Sequence, residues 1–289
     1  MSQNHSMKLF STLILTLNEV KTLPHLIKRL RKVCDDIVVL DSHSNDGTQI
    51  LARNLGCRVY QRTFDTEKEQ RAYAISLPFR HSWVYNPDAD EIPDDLFLEE
   101  MQAAAFNENL NSAYEVRFKN YLDGSWIRHS TDYPVWVIRF FRPKQLSFER
   151  EVNLRYVVDG QINRFEGHFN HFPFEKGLDW WISKHNQYST KEAHEAIKII
   201  NKSSFSLAIK KFTNTQSAKD RRLALKEISF FLPYRGLMRF FYSYLFRLGF
   251  LDGRAGLKYS ILISFYEFMI SEKIREMKSI LPPKHDLDC

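Results

Sequence analysis

The first hundred residues alternate between short apolar runs and longer segments with helical spacing. Residues 10–17 form a continuous apolar, β-branched run, which is typical of a strand buried on both faces. The next segment, TLPHLIKRLRKV, spaces its apolar residues three and four apart with basic residues between them, which predicts an amphipathic helix. Further strands are predicted at residues 36–41, CRVYQ and SWVY. Further helices are predicted over DGTQILARNLG, residues 65–76 and PDDLFLEEMQAAAF, the last with Pro93 in its first turn.

Regular alternation of strand and helix predicts an α/β fold with a mostly parallel sheet flanked by helices. After residue 110 the pattern changes, because SAYEVRFKNYL, VWVIRFFRP and NLRYVV predict strands of a mixed or antiparallel extension. From Gly177 onward the spacing favours helices. We therefore predict one domain over residues 1–175, divided into halves at 8–110 and 111–175, and a helical C-terminal region over 176–289.

Composition narrows the class of protein. Of the 289 residues, 44% are hydrophobic and 26% are charged, which is ordinary for a globular chain. The net charge of +6 is uneven, because residues 201–258 hold 12 Lys or Arg against 3 Asp or Glu. The three cysteines, Cys34, Cys57 and Cys289, have no metal-type spacing. Their small, odd number argues against a disulfide scaffold and fits a reducing compartment. We find neither a secretory signal nor an apolar run of spanning length, so the sequence predicts a cytoplasmic protein.

Polar residues follow three of the predicted strands, in TLNE, DSHSNDGT and NPDADE. Ligands bind at the carboxyl ends of parallel strands, so these segments are expected to converge on one site. Asp88 and Asp90 can aim two hard oxygen ligands at one cation, which suits Mg²⁺ or Mn²⁺. The alternative is a solvated acidic loop. We prefer that alternative for Asp94, Asp95 and Glu99, which favour the start of a helix.

The segment DSHSNDGT has two interpretations. Asp41 ends a buried strand, where a carboxylate can accept hydrogen bonds from a base or a ribose. Asp46 or Ser44 can instead cap the following helix. The segment is neither a Walker loop nor a GxGxxG fingerprint, because the required glycines are missing.

These segments together resemble glycosyltransferase family 2. The resemblance rests on TLNE at residues 16–19, VVLDSHSNDGT at 38–48, QR at 70–71 and DADE at 88–91. Later stretches, namely GSWIRH, RFFRP, HFNHF, ISKHNQY and GFLDGRAGL, are similar to a subgroup that builds bacterial lipopolysaccharide cores and related surface glycans. The resemblance implies the nucleotide-sugar-binding type A fold with a C-terminal helical extension. Residues 8–110 would then bind the nucleotide sugar, and residues 111–175 the acceptor.

The resemblance also implies roles for individual residues. Asp90, with Asp88 nearby, would hold Mg²⁺ or Mn²⁺ between the two phosphates of the donor. Arg71 would lie near the diphosphate and act in catalysis. His43 stands where the family usually has Gly, so the backbone of that turn is expected to differ. The nucleotide-sugar site would comprise Thr16, Asn18, Glu19, Asp41, Ser42, Arg71, Asp88 and Ala89.

The family's chemistry is a single displacement with inversion, which needs a general base for the acceptor hydroxyl. Glu151 is our candidate, with Glu149 behind it, although Arg150 replaces the His that often precedes the subgroup's Glu. The alternative is a surface strand with alternating charges. Three histidines are candidates for phosphate or acceptor contacts, although a His beside aromatic residues is more often packed in the core: His129, His168 and His171.

The basic C-terminal region suggests a membrane contact. A helix read from Leu237 places Phe240, Phe241, Tyr244, Leu245 and Leu248 on one face, with a polar stripe of Arg235, Arg239, Ser243 and Arg247. A second apolar segment covers residues 257–270. This pattern predicts a monotopic contact with anionic lipid on the inner face of the cytoplasmic membrane, near a glycan or glycolipid acceptor. The alternative is a helix pair packed on the sheet.

Two other functions are compatible with these residues. A nucleotidyl- or phosphotransferase could use the same Asp-x-Asp with Mg²⁺, and a non-catalytic, membrane-associated protein could bind nucleotide sugar without turnover. Nucleic acid is a poor partner for the basic region, because its arginines lie among bulky apolar residues and no recognised module is present.

Overall fold

The computed structural model describes residues 8–107, 110–149, 154–215 and 217–280. The chain divides into two units, one of residues 1–121 and 132–176, and the other of residues 122–131 and 177–289. In chain order the strands and helices are β1 (Phe10–Thr16), α1 (Leu23–Leu30), β2 (Asp36–Asp41), α2 (Thr48–Asn54), β3 (Arg58–Gln61), α3 (Glu67–Ile75), β4 (Trp83–Tyr85), β5 (Glu91–Pro93), α4 (Asp95–Phe106), β6 (Asn111–Leu122), β7 (Ser125–Trp126), β8 (Trp136–Phe141), β9 (Leu146–Glu149), β10 (Arg155–Val158), β11 (Gln161–His171), α5 (Leu178–Lys202), α6 (Phe205–Asn214), α7 (Ala218–Ser229), α8 (Arg235–Phe241) and α9 (Gly253–Ile280).

The first unit is built on a sheet of strand order β3-β2-β1-β4-β8-β6-β11-β5. β1 runs parallel to both β2 and β4, and β3 runs parallel to β2. Thr16 lies opposite Asp41 in this register. β8 is antiparallel to β4 and β6, whereas β11 is parallel to β6. The predicted α/β fold, with a parallel part and a mixed extension, is confirmed.

The apolar runs form these strands because both faces of the sheet are covered. β1, β2 and β4 are buried along almost their whole length. On one face Trp83 stacks on Phe140 with ring centroids 4.8 Å apart, and Phe10 meets Phe140 edge-on. Helix α1 buries Leu23, Leu26, Ile27 and Leu30. Burial of each such side chain stabilises the fold by about 1.5–3 kcal/mol. The predicted apolar spacing therefore determines which face of α1 packs against the sheet.

One predicted boundary is wrong. Pro93 is not in the first turn of a helix but ends β5, opposite Phe169 of β11. Proline lacks an amide hydrogen and is therefore tolerated in an edge strand, which β5 is. Helix α4 begins at Asp95 and is capped by Asp94, whose carboxylate accepts from the amide of Phe97 at 2.8 Å. The expected helix-start role of Asp94 is confirmed.

The second unit contains the long helices α5 and α9 and a small apolar core. In the described ranges, no helix is long and apolar enough to cross a membrane. The predicted helix from Leu237 is confirmed as far as Phe246, although it becomes a π-helix over Tyr242–Phe246, and Leu248 lies beyond it with φ 61°. The core residues are Ala193, Ala196, Phe230, Ile270 and Ile274.

Two of the four residues of the predicted polar stripe, Arg235 and Ser243, lie on the inner face of this segment. Arg235 is buried and donates to Glu267 of α9 at 2.6 Å. Ser243 is buried, and Arg247 donates to the carbonyl oxygen of Thr131 at 2.7 Å. The prediction that Arg235 contacts anionic lipid is therefore wrong, because its charge is paired with Glu267 within the unit. The lipid contacts of Arg239 and Arg247, which are half-buried, stay predictions.

Asp252 links two of the late sequence motifs within the second unit. Its carboxylate accepts from the amides of Arg128, His129 and Ser130, the last at 2.7 Å, and from the Ser130 hydroxyl at 2.8 Å. GSWIRH and GFLDGRAGL therefore meet at one carboxylate. This contact engages the backbone of His129, whose predicted acceptor contact stays a prediction.

Asp252→Ala is expected to destabilise the protein by about 2–3 kcal/mol, because it leaves several partly buried donors without a partner. Thermal unfolding of the full chain measures this. Asp123→Asn is the control, since Asp123 forms an exposed pair with Lys258 that is worth at most about 1 kcal/mol, and Asn tolerates the left-handed backbone at this position. Equal melting temperatures for the two variants would contradict the assignment.

Candidate active site

The loops after β1 and β2 are joined by hydrogen bonds at the carboxyl edge of the sheet. The amide of Asn18 donates to Ser44 Oγ at 2.8 Å, and the amide of Asn45 donates to Asn18 Oδ1 at 3.0 Å. The amide of Glu19 donates to Thr48 Oγ1 at 2.8 Å. Asn18 adopts φ 57°, a conformation that Asn tolerates better than most residues. TLNE and DSHSNDGT, separate in sequence, thus form one surface.

Asp41 holds the residues of this surface in place through buried hydrogen bonds. It is buried, and its carboxylate accepts from Thr16 Oγ1 at 2.7 Å, from Gln49 Nε2 at 2.7 Å, and from both the amide and the hydroxyl of Ser44. Both oxygens are therefore engaged within the protein. The contact of Asp41 with a nucleoside stays a prediction.

The turn between β2 and α2 uses two further residues singled out in the sequence. His43 adopts φ 60°, which costs a non-glycine residue about 1–2 kcal/mol. Asp46 accepts from the amide of Thr48 at 3.0 Å and from the amide of Val20 at 3.1 Å. The N-cap of α2 is Gly47, without a side-chain cap, so the alternative that Asp46 or Ser44 caps this helix is wrong. Asp46 instead joins the first helical residue to the loop after β1.

Helix α3 brings two side chains towards the same edge. Gln70 Nε2 donates to Ser42 Oγ at 3.1 Å. Arg71 Nη1 donates at 3.2 Å to Asn86 Oδ1, at the start of the acidic loop. Burial opposes the charge on Arg71, but the nearby Tyr156 and Asp88 outweigh it and raise its pKa. Arg71 is thus a fixed cation beside the acidic loop.

The acidic loop, residues 86–91, follows β4 and is closed by its own backbone. The amide of Asp88 donates to Glu91 Oε2 at 3.0 Å, and the amide of Glu91 donates to the carbonyl oxygen of Asp88 at 3.1 Å. Ala89 is buried in the apolar core. Its predicted contact with the nucleotide sugar stays a prediction.

Arg139 neutralises much of the negative charge in this loop. Its Nη2 donates to Asp88 Oδ2 at 2.8 Å and to Glu91 Oε1. Burial raises the pKa of Glu91 to about 7, although Arg139 opposes the change, and the charge of Asp88 adds to it. Sequence reasoning assigned no role to Arg139. The only signal was its position in the RFFRP motif.

The histidines of β11 lie against acidic residues. His171 Nε2 is 3.5 Å from Asp90 Oδ2. Burial alone would lower the pKa of His171, but its hydrogen bond to Asp90 and the surrounding carboxylates outweigh burial and raise it. His168 Nδ1 is 2.8 Å from Asp94 Oδ2, at the start of α4. His168 therefore supports a helix start, whereas His171 faces a predicted metal ligand.

The carboxylates of the loop fit a divalent cation that takes other ligands from its substrate. Magnesium sites often use one or two carboxylates and complete their shell with water and phosphates. Asp88 and Asp90 supply such oxygens, although Arg139 and His171 already contact one oxygen of each. In the part of the chain that the structure describes, no group of three or more His, Cys, Asp or Glu is arranged to hold a metal.

Residues 11–169, which contain the loops after β1, β2 and β4, match the family model of Glycosyl transferase family 2. The chain belongs to glycosyltransferase family 2. Two relatives, each called an uncharacterized glycosyltransferase, come from Rickettsia typhi and Rickettsia conorii. They are 26% and 27% identical over 94% and 92% of this chain, and over 88% and 89% of their own lengths.

Solved structures cover a smaller part of this glycosyltransferase. Glucosyl-3-phosphoglycerate synthase from Mycobacterium tuberculosis, in complex with Mn²⁺, uridine diphosphate and glucosyl-3-phosphoglycerate, is 22% identical with a TM-score of 0.33, over 39% of this chain and 44% of that one. Mannosyl-3-phosphoglycerate synthase from Rubrobacter xylanophilus is 19% identical with a TM-score of 0.34, over 39% and 40%. The chain thus spans less than half of each.

Two acidic residues of the predicted site, Glu19 and Glu149, have different environments in this glycosyltransferase. Glu19 Oε1 accepts from Lys176, which also donates to the carbonyl oxygen of Leu17 at 3.2 Å. Burial raises the pKa of Glu19, against the opposing contacts of Lys176 and Thr22. Glu149, at the end of β9, is exposed and lies 3.7 Å from Arg155. Glu151, the predicted base, lies outside the described residues.

Proposed function

We propose that this glycosyltransferase moves a hexose, with inversion, from a nucleotide diphosphate sugar to a lipid-linked or lipopolysaccharide-type glycan. The donor nucleotide is uridine diphosphate. The observation that carries the proposal is the parallel pairing of β1 with β2 and β4. This pairing puts TLNE, the Asp41 turn and the acidic loop at one edge of the sheet, where α/β proteins bind nucleotides.

The donor lies along this edge. The hydrogen-bonded loops after β1 and β2 hold the nucleoside, and Arg71 lies beside the diphosphate, where its charge favours the leaving group. Asp41 acts by keeping Ser44 and Thr16 in place beneath the nucleoside. The proposed donor-binding residues are Thr16, Asn18, Glu19, Asp41, Ser42, Arg71, Asp88 and Ala89.

Asp90 and Asp88 would hold a divalent cation, Mg²⁺ or Mn²⁺, which would neutralise the charge that develops on the leaving phosphates. Arg139 holds the side chain of Asp88 in place, and His171 contacts that of Asp90. Arg139 and His171 thus position Asp88 and Asp90 without supplying a further carboxylate, which would cancel more of the cation's charge.

The acceptor hydroxyl attacks the anomeric carbon in one displacement, which inverts the configuration. Glu151 removes the hydroxyl proton, and Glu149 is the second candidate. The acceptor is a glycan or glycolipid made on the cytoplasmic side of the membrane.

The C-terminal unit brings the enzyme to the inner face of the cytoplasmic membrane. Its segment around α8 exposes large apolar side chains, and Phe246 is 80% exposed. Apolar side chains of this kind bury themselves between the headgroups and acyl chains of a bilayer. Because Arg235 is paired internally with Glu267, the contact depends on apolar burial more than on anionic lipid. The exposed set is Leu237, Phe241, Leu245, Phe246, Phe250 and Leu251.

Phe246→Ser/Leu251→Ser is expected to lower binding to phosphatidylcholine vesicles by about tenfold or more, since each side chain loses about 1.5–3 kcal/mol of apolar burial. Liposome flotation measures this. Leu223→Ser/Leu225→Ser removes two exposed leucines of α7 and is the matched control. Absence of flotation by the wild-type protein would contradict the membrane contact.

Incubation with a set of labelled nucleotide sugars and a membrane extract tests the reaction itself. Release of nucleoside diphosphate, together with label on a glycan, is expected with a uridine diphosphate hexose. Release of pyrophosphate would instead identify a nucleotidyltransferase. Nucleotide-sugar binding without turnover would identify a non-catalytic binding protein.

A further inference from the structure

The first unit has a cavity lined by positively charged side chains, apart from the proposed donor site. The cavity has a volume of about 400 Å³, and one of its walls is formed by side chains of α1 and of the turn that follows it. Three of its side chains, His25, Lys28 and Arg29, are three and four residues apart and so share one face of α1, and Lys32 lies in the turn that follows the helix. The opposite wall is formed by Ile92, Phe172 and Glu175.

Of the three cations, Lys28 and Lys32 lack a carboxylate partner among the described residues, whereas Arg29 has one. Arg29 donates to Asp95 at 2.6 Å and to the carbonyl oxygen of Pro93 at 3.0 Å. Lys28 and Lys32 are exposed, and neither forms an ion pair with any residue in the described ranges. Like charges that line the same cavity repel one another. An anion held between Lys28 and Lys32 would remove that repulsion.

The far wall of the cavity belongs to the backbone that carries the acidic loop. The amide of Phe172 donates to the carbonyl oxygen of Asp90 at 3.0 Å. Ile92 follows the acidic loop directly and pairs with Asn170 of β11. A ligand in this cavity would therefore lie beside the strand that positions Asp90. None of the proposed donor-binding residues lines the cavity, so the ligand would be distinct from the donor.

We infer that this cavity binds a phosphate group of the acceptor. The inference rests on the proposed function, because it names the acceptor as a phosphorylated glycan or glycolipid. Lys28 and Lys32 would hold the phosphate by charge-assisted hydrogen bonds. Ile92 and Phe172 provide an apolar wall for the carbon skeleton of the attached sugar, and Glu175 is an acceptor for its hydroxyl groups.

Binding of glucose 6-phosphate to the full chain, measured by calorimetry without nucleotide sugar, tests the site. Wild-type protein is expected to bind it saturably. Lys28→Gln/Lys32→Gln is expected to bind it at least about tenfold more weakly, since two charge-assisted hydrogen bonds are lost. The matched control is Arg53→Gln/Lys144→Gln, which removes two exposed cations of the same unit that do not line the cavity. It should bind like wild type.

A second arm distinguishes a soluble phosphate from a lipid headgroup. Vesicles of phosphatidylcholine containing phosphatidic acid are sedimented with the same proteins. Weaker sedimentation of Lys28→Gln/Lys32→Gln than of wild type supports a lipid phosphate, and a loss confined to glucose 6-phosphate supports a soluble one. If neither probe distinguishes the variant from wild type, the anion site is overturned.

Hydrolysis of nucleotide sugar without acceptor separates this inference from the proposed function. Lys28→Gln/Lys32→Gln is expected to hydrolyse the donor at the wild-type rate. Absence of hydrolysis in the wild-type protein would count against the proposed function. Phosphate binding that is equal in the variant and wild type would overturn the anion site alone.

Discussion

Asp90→Asn is expected to lower sugar transfer by about a thousandfold, because a cation that stabilises the leaving diphosphate supplies several kcal/mol to the transition state. The amide keeps the size of the side chain but removes its charge. Calorimetry with uridine diphosphate and Mn²⁺ should show metal-dependent binding in the wild-type protein and little in the variant. Transfer rates with the best donor give the second measurement.

The same acidic stretch offers a matched control. Asp95 is four residues from the end of the acidic loop and 84% exposed in its side chain, where it pairs with Arg29. Asp95→Asn removes the same charge from a helix start and is expected to leave transfer and metal-dependent binding close to wild type. Undiminished metal-dependent nucleotide binding in Asp88→Asn/Asp90→Asn would refute the metal assignment.

Arg139→Met is expected to destabilise the protein by about 3–5 kcal/mol, because it leaves a buried carboxylate without its counter-charge. Arg139 is the ion-pair partner of both Glu91 and Asp88, and Glu91 is almost fully buried. The loop that carries Asp90 is therefore expected to lose its fixed shape together with its stability. Chemical denaturation at neutral pH measures the free energy of unfolding.

Two further variants sharpen this test. Arg164→Met breaks an exposed pair with Glu115 on the same sheet and should cost at most about 1 kcal/mol. Arg139→Met/Glu91→Gln should recover part of the lost stability, because the second change removes the unpaired charge. If Arg139→Met unfolds at the wild-type denaturant concentration, the buried pairing does not stabilise the loop.

The strand and helix order of the first unit was predictable from local patterns. Continuous apolar runs predicted β1, β2 and β4, because a strand buried on both faces must be apolar on both faces. The spacing of Leu23, Leu26, Ile27 and Leu30 predicted α1 in the same way. The convergence of TLNE, DSHSNDGT and NPDADE followed from the rule for parallel sheets. Pro93 was misplaced because a proline at a helix start and one in an edge strand have similar local sequences.

Contacts between distant residues were not predictable. Arg139 is 51 residues from Asp88, and Asp252 is 122 residues from Ser130. The charge pattern of a helix does not indicate which of its faces packs against the protein, and around α8 two residues of the polar stripe, Arg235 and Ser243, are buried. Asp41 was predicted to accept hydrogen bonds from a nucleoside. In the structure its carboxylate oxygens accept hydrogen bonds from Thr16, Ser44 and Gln49.

The sequence by itself determined the α/β architecture, the family and the position of the acidic loop at a strand end, because each depends on periodicity or on residues close together in the chain. Only the tertiary structure decided which charges are paired. It placed Arg139 between Asp88 and Glu91, turned Arg235 inward to Glu267, and left Lys28 and Lys32 beside a cavity. Burial and the distance to a counter-charge set the energy of an ionised side chain, and both are properties of the folded chain.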